Sequence, residues 1–247
     1  MEPEVRLAVD NYGRSGWTHL EAVGFLCGAV LRLMAAPLSA LSATTPSQSR
    51  EGRLGAEFYH LEQFQRAVPL LRDAAEKGET AACIFLARCF QEGLGGLSPN
   101  PSEVARLVQG VTIADPYLKG CCAYYGLTGA VNHPEAVVCF REGAEQGLMT
   151  AQYALGHCYY EGYGVDGDTK EGVSWITKAA KQGFAKAQRA MGICNENGHG
   201  WAKGPGEATG HAFVWYRQAA YQGDLPSLFA KQRIAGPAAI KSPNSSN

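Results

Sequence analysis

The chain has 247 residues, of which 46% are hydrophobic and 10% aromatic, enough apolar material for a packed interior. Its 22 basic and 23 acidic residues leave a formal charge of −1 and are spread along the sequence. With no basic block and no motif that reads bases, this balance argues against a nucleic-acid-binding protein.

Residues 1–51 read as an N-terminal extension. Ala22–Leu31 is apolar almost all round, and the run continues past Arg32 to Leu41. A signal peptide wants a basic start, whereas Glu2, Glu4, Asp10 and Glu21 here face only Arg6 and Arg14. A membrane helix needs ~20 apolar residues, and Arg32 and Pro37 interrupt this run. The expectation is a buried helix over residues 20–34, with a membrane or targeting segment within residues 20–41 as the alternative. Ser39–Arg50, rich in Ser and Thr, reads as a linker.

From residue 52 the pattern changes to paired helices. Ala67, Leu70, Leu71, Ala74 and Ala75 share one face of a first, shortened pair. A second unit spans Thr80–Asp115, with Ser102 as the expected cap of its closing helix and Asp115-Pro116 as its stop. The third, about Tyr117–Gly147, is the most degenerate: Cys121–Leu127 serves as its opening helix, and Glu135–Gln146 closes it with Val138, Phe140 and Ala144 as apolar contacts.

The fourth unit is the clearest. Ala151, Leu155, Cys158 and Tyr159 fall at i, i+4, i+7 and i+8, and Gly172, Trp175, Ile176, Ala179 and Ala180 repeat that helical spacing. Gly162 and Gly164 flank Tyr163 in the turn between, Asp168 and Thr169 supply capping oxygens, and Gly183 stands where a left-handed residue ends a helix. A fifth unit starts at Phe184, carries a glycine-rich insertion read as flexible, and closes with Ala212–Gln222. Leu225–Ile234 reads as a capping helix, and residues 236–247 as a disordered tail.

The units share a signature. The closing helices end AAEKG, GAEQG, AAKQG and AAYQG, at Gly78, Gly147, Gly183 and Gly223, which are 69, 36 and 40 residues apart. The opening helices align as ACIFLARCFQEGLGG from Ala82, AQYALGHCYYEGYGV from Ala151 and AQRAMGICNENGHG from Ala187. Two helices per period of this length predict an α-solenoid. The pattern, nearly complete from Ala151 to Gly183, resembles the Sel-1-like repeat, a relative of the tetratricopeptide repeat, over roughly two thirds of the chain. The resemblance implies an all-α, right-handed superhelix of four to five repeats over residues 52–235, and a role in holding proteins together rather than in catalysis.

Eight cysteines are present, and Cys89, Cys158 and Cys194 occupy one repeat position on the apolar face. Stacked repeats would hold them ~10 Å apart, beyond the ~7 Å between Cα atoms that a disulfide spans, so reduced core thiols are expected. Some relatives pair a cysteine of the second helix with one eight residues on; Ala179 and Ala187 stand there in this chain. A zinc site from His157, Cys158, Cys194 and His199 lacks chelating spacing. The glycines from Gly204 to Gly210 have phosphate-loop spacing, but His211 replaces the lysine. No hydrolase, kinase or dinucleotide signature occurs. The sequence therefore assigns no catalytic residue, no metal ligand and no cofactor.

Geometry supplies the binding residues. With the Ala151–Leu155–Tyr159 face packed, Tyr153, His157 and Tyr160 form a second stripe at i, i+4 and i+7. Opening helices line the concave side of such superhelices. Stacking then places Ile84, Arg88 and Gln91, and also Arg189, Ile193 and Glu196, along the same groove. The expected protein is a non-catalytic adaptor, cytoplasmic, that holds a peptide or domain of a protein partner there, without nucleic acid and with membrane contact confined to residues 20–41. The alternatives are a membrane-tethered assembly or quality-control factor, with a membrane-associated or organellar location, and a cysteine-dependent enzyme.

Overall fold

The computed structural model describes residues 49–109, 111–199 and 205–235. The apolar segment at 20–41, the Ser/Thr linker up to residue 48, the start of the fifth-unit insertion and the tail at 236–247 lie outside them. Among the described residues there are eleven α-helices and no strand. They are α1 (Arg50–His60), α2 (Phe64–Glu76), α3 (Thr80–Glu92), α4 (Pro101–Val108), α5 (Pro116–Tyr125), α6 (His133–Glu145), α7 (Met149–Glu161), α8 (Thr169–Lys181), α9 (Ala185–Glu196), α10 (Pro205–Tyr221) and α11 (Leu225–Ala235). None of them is long and apolar enough to cross a membrane.

Five helix starts, those of α1, α4, α5, α6 and α8, are written by short polar side chains. Asp168 caps α8 by accepting from the backbone N–H groups of Lys170 at 2.9 Å and Glu171 at 3.1 Å, as expected. Three earlier starts share an Asn/Asp and proline grammar. Asn100 accepts from Glu103 N at 3.2 Å, Asp115 from Leu118 N at 3.0 Å and Asn132 from Glu135 N at 3.2 Å, each with proline in the first helical positions. Two expectations are corrected here. Asn100, not Ser102, caps α4, because Pro101 is the N1 residue. Asp115-Pro116 opens α5 rather than stopping α4, because a proline that ends one helix is equally suited to begin the next.

The helices pair as five antiparallel hairpins, α1–α2 through α9–α10, with α11 packed on α10. The opening helices α1, α3, α5 and α7 stack on one another, and the closing helices α2, α6 and α8 each pack on the opening helices before and after them, whereas the short α4 packs on α3. A row of glycines sets the closeness within a hairpin. A Cβ on Gly120 would lie 2.4 Å from Phe140, one on Gly156 2.7 Å from the Gly172 carbonyl, and one on Gly192 2.5 Å from Tyr216. These three are spaced by 36 residues and mark where α5, α7 and α9 cross their partners. Two positions after each comes a buried cysteine: Cys122, Cys158 and Cys194, joined by Cys89 in α3. The third unit is therefore in register with the others, although its opening helix begins at Pro116, five residues before the expected Cys121.

Glutamines stitch one repeat to the next. Gln182, which ends α8, donates to the Gln152 side chain at 2.8 Å and to the Gly147 carbonyl at 3.1 Å, while Gln152 donates to the Ala144 carbonyl at 3.2 Å. One unit later, Gln222 donates to Gln188 at 2.7 Å and Gln188 to the Ala180 carbonyl at 3.3 Å. The Q-G of the closing motif thus satisfies buried polar groups that would otherwise be orphaned between helices.

Three further expectations change. Val138 is 67% exposed and is no core contact; Ala136, Val137 and Phe140 are the buried side of α6. The fifth-unit insertion is helical from Pro205, so α10 begins seven residues before Ala212, with proline at its start. The superhelix also closes on itself. The α1–α2 turn reaches the far end of the solenoid, where Gln63 Nε2 donates to the Gly223 carbonyl at 2.9 Å. That carbonyl holds the closing-glycine position whose counterpart, Gly147, receives Gln182.

Candidate functional site

The inner helices converge on a cavity of about 110 Å³. Liquid water takes about 30 Å³ per molecule, so this hollow has the size of one side chain rather than of a helix. Its wall is aromatic and cationic: Tyr59 and His60 come from α1, Arg88 from α3, Tyr117, Tyr124 and Tyr125 from α5, and Tyr153 and His157 from α7, with Phe184 and Lys186 at the start of α9. A larger hollow of about 420 Å³ lies between α2, α3 and α4, but its rim charges Glu103 and Arg106 pair with each other at 2.8 Å, and none of the predicted stripe lines it.

Ring packing holds the inner wall. Tyr59 stacks on Phe85 with centroids 4.4 Å apart, and the His60 ring lies 5.3 Å from Phe85, 6.1 Å from Tyr117 and 5.4 Å from Phe184. Burial, together with the nearby Lys186 and Arg88 charges, drives His60 down to about 3, so it is neutral at physiological pH. His157 is lowered in the same way, by burial first. The phenols move oppositely: burial pushes Tyr124 up to about 12 and Tyr59 well above its ordinary value. Arg88 sits over the Tyr125 ring at 4.1 Å, donates to Tyr59 Oη at 2.7 Å and pairs with Glu92 at 3.0 Å.

Around Lys186, which lines the cavity, four charges interlock. Glu62, in the α1–α2 turn, pairs with Lys186 at 3.0 Å and Arg189 at 2.9 Å, and Arg189 pairs with Asp224 at 3.1 Å. Asp224 is 1% exposed and its second oxygen accepts from the Ser227 backbone N–H at 3.0 Å. Burial would raise the Glu62 carboxyl, but Lys186 and Arg189 outweigh it and hold it below the ordinary value.

The nine predicted groove residues are not one continuous stripe. Arg88, Tyr153 and His157 line the cavity together. Arg189 is not in the cavity wall and belongs to the charge cluster around Glu62. Ile84 is a correction: it is 1% exposed, because α3 is covered on all sides and Ala82–Ala87 are all buried. Gln91 is exposed and donates to the Tyr125 carbonyl at 2.7 Å, tying α3 to α5. Tyr160 bonds His199 Nδ1 at 2.7 Å, outside the cavity wall. Ile193 is 45% exposed and outside that wall, and Glu196 is used structurally, accepting from Tyr216 Oη and pairing with Arg233 at 2.6 Å.

Sequence reasoning missed Tyr59, His60 and Glu62 because the first unit lacks the glycine signature, and Tyr117, Tyr124 and Tyr125 because the third unit was read out of register. Lys186 had a signal: the stripe of Arg189, Ile193 and Glu196, extended one turn back, reaches it.

His157, Cys158, Cys194 and His199 do not come together as one group. Cys158 and Cys194 are core residues, and among the described residues no group of three or more His, Cys, Asp or Glu side chains could hold a metal ion. The seven described cysteines are free, and burial raises every one of their thiols, to about 12 for Cys121 and Cys158 and about 11 for Cys89, Cys122 and Cys194. A thiolate nucleophile needs the opposite shift.

Comparison with known proteins settles the family. The Sel1 repeat model matches residues 80–106, 120–148, 150–184 and 185–224, together just over half of the chain. The chain belongs to the Sel1 repeat family. Proteins built of Sel1 repeats are generally scaffolds for protein interactions. Two solved structures are similar to this one. The first is a protective antigen of uropathogenic Escherichia coli displaying an SLR fold, with 20% identity, a TM-score of 0.44 and 92% of this chain covered. The chain spans only 55% of that antigen's length. The second is a Sel1 repeat protein from Oxalobacter formigenes, with 21% identity, a TM-score of 0.39, and coverage of 72% of this chain and 87% of the other. No curated protein matches the chain.

Proposed function

We propose that this Sel1 repeat protein is a non-catalytic adaptor that holds a segment of another protein against the inner face of its superhelix, in the cytoplasm. The observation that carries the reading is the concentration of aromatic and cationic side chains, Arg88, Tyr124, Tyr125, Tyr153, His157 and Lys186, around a hollow of about 110 Å³. Tyr and Arg are the residue types that dominate the energetics of protein interfaces. A hollow of this size admits one side chain, so the partner is read as an extended segment anchored by a single residue.

Site-specific photo-crosslinking tests this in the native cell. A photoreactive residue at His157 is expected to capture one partner peptide, identified by mass spectrometry, and the same residue at Lys181, exposed on α8, is expected not to. Equal capture from both positions would contradict the inner-face reading.

A further inference from the structure

The left-handed turn that ends an opening helix falls on glycine in four units: Gly93, Gly126, Gly162 and Gly198 have φ of 69°, 66°, 75° and 77°. In the first unit it falls on Glu62, with φ of 60°, the one non-glycine residue with positive φ among those described. A glutamate resists this conformation and a glycine does not. The side chain must therefore gain something that the turn alone does not require, and strain of this kind is held where surrounding contacts over-determine it.

What it gains is Lys186 and Arg189, at 3.0 and 2.9 Å. Both cations are mostly withdrawn from water, their side chains 23% and 13% exposed, whereas the Glu62 side chain is 35% exposed and open to exchange. Arg189 has a second carboxylate, the buried Asp224. Lys186 has Glu62, and its ammonium lies 5.8 Å from the Tyr153 ring on the cavity wall. A partly desolvated ammonium beside an aromatic hollow demands an anion, and Glu62 supplies one from a turn that also lashes the two ends of the superhelix together through Gln63 and Gly223.

We propose that Glu62 is a tethered stand-in for a carboxylate of the partner: it occupies Lys186, on the cavity wall, together with Arg189, and an acidic segment of another protein takes its place as the α1–α2 turn gives way. The proposal rests on the adaptor reading and adds the chemistry of its ligand. Self-occupancy of this sort lowers the apparent affinity by the fraction of molecules in which the site is open.

The test is fluorescence anisotropy with the full chain and a labelled peptide of eight glutamates and one tyrosine, against a matched peptide of glutamines. Glu62→Gly keeps the turn's conformation and removes the carboxylate. It is expected to bind the acidic peptide at least about tenfold more tightly than the wild type, as for a site freed from a roughly ten-to-one closed state. The glutamine peptide should gain nothing, Lys186→Met in the Glu62→Gly background should abolish the gain, and added salt should weaken binding. Glu62→Gln, of equal length, should show the same gain should the glycine variant not fold.

Equal affinity of wild type and Glu62→Gly for the acidic peptide, an equal gain for the glutamine peptide, or a gain that survives Lys186→Met would each overturn the proposal. So would loss of fold in both Glu62 variants, which would make the residue a structural staple. Should the acidic peptide fail while a photoreactive residue at His157 still captures a partner, only the role of Glu62 falls. Should both fail, the adaptor reading falls with it.

Discussion

The fourth unit and the first are built from the same pair of antiparallel helices, yet they are tied into the molecule differently. In α7–α8 the complete repeat motif is spent on neighbours: Gly156 lets α8 approach, Gln152 and Gln182 bond across adjacent turns, and Gly164 packs against the His133 backbone with φ of 70°, where any Cβ would collide at 2.3 Å. In α1–α2 the motif is missing from the turn, and Glu62 and Gln63 bond residues more than 120 positions away. A repeat motif specifies how one unit sits on the next. It does not specify where the ends of the array go, and here a few side chains outside the motif decide that.

The comparison can be broken at its strongest point first. Gly156→Val would drive a side chain into Gly172 and Ile176, whose backbone atoms lie within 2.9 Å of the new Cβ. A loss of about 3 kcal/mol or more is expected, seen as a large fall in the urea midpoint or as failure to fold. An unchanged midpoint would mean that α7 and α8 are not so closely packed.

Arg189→Met comes next. It leaves the buried Asp224 with only the Ser227 N–H and removes one of the two cations held by Glu62. A loss of about 2–3 kcal/mol is expected from an uncompensated buried carboxylate, with hydrogen exchange accelerating in α1–α2 and α11 before α7–α8. Uniform acceleration throughout would count against a closure local to the ends.

The remaining effect, absent at neutral pH, concerns acid. His60 is held neutral with its pKa lowered from 6.5 to about 3, so the unfolded chain binds the proton that the folded chain refuses. Stability from this group is complete above 6.5 and declines as pH falls toward 3. Glu62, lowered by its cations, loses its contribution only below the ordinary carboxylate value, as it protonates. His60→Phe is expected to reduce the slope of stability against pH between 6.5 and 3 by roughly one proton. His157, also lowered by burial, contributes a slope of the same sign below 6.5.

How far the sequence led follows the same division. Glycine spacing, capping aspartate and the Q-G endings identified the helical hairpins of units four and five and the family, because nearest-neighbour packing leaves a periodic trace. The third unit was misread by five residues because proline punctuates both ends of helices, although Gly120 and Cys122 carried the register. The inner site was only partly legible. Arg88, Tyr153 and His157 were found from helical periodicity, and Ile84 was misplaced because a single helix wheel cannot show that α3 is covered on every side. Tyr59, His60 and Glu62 left no trace, since a contact between the first unit and the fifth has no local signature.

Zero-length carbodiimide crosslinking of the full chain tests the closure most directly, since it joins only a carboxylate and an ammonium already in contact. Mass spectrometry should find an amide between Glu62 and Lys186, which stand 3.0 Å apart, alongside the one between Glu51 and Lys77 at 3.3 Å, which serves as an internal standard. Recovery of the Glu51–Lys77 crosslink without any Glu62–Lys186 product would show a superhelix whose ends do not meet.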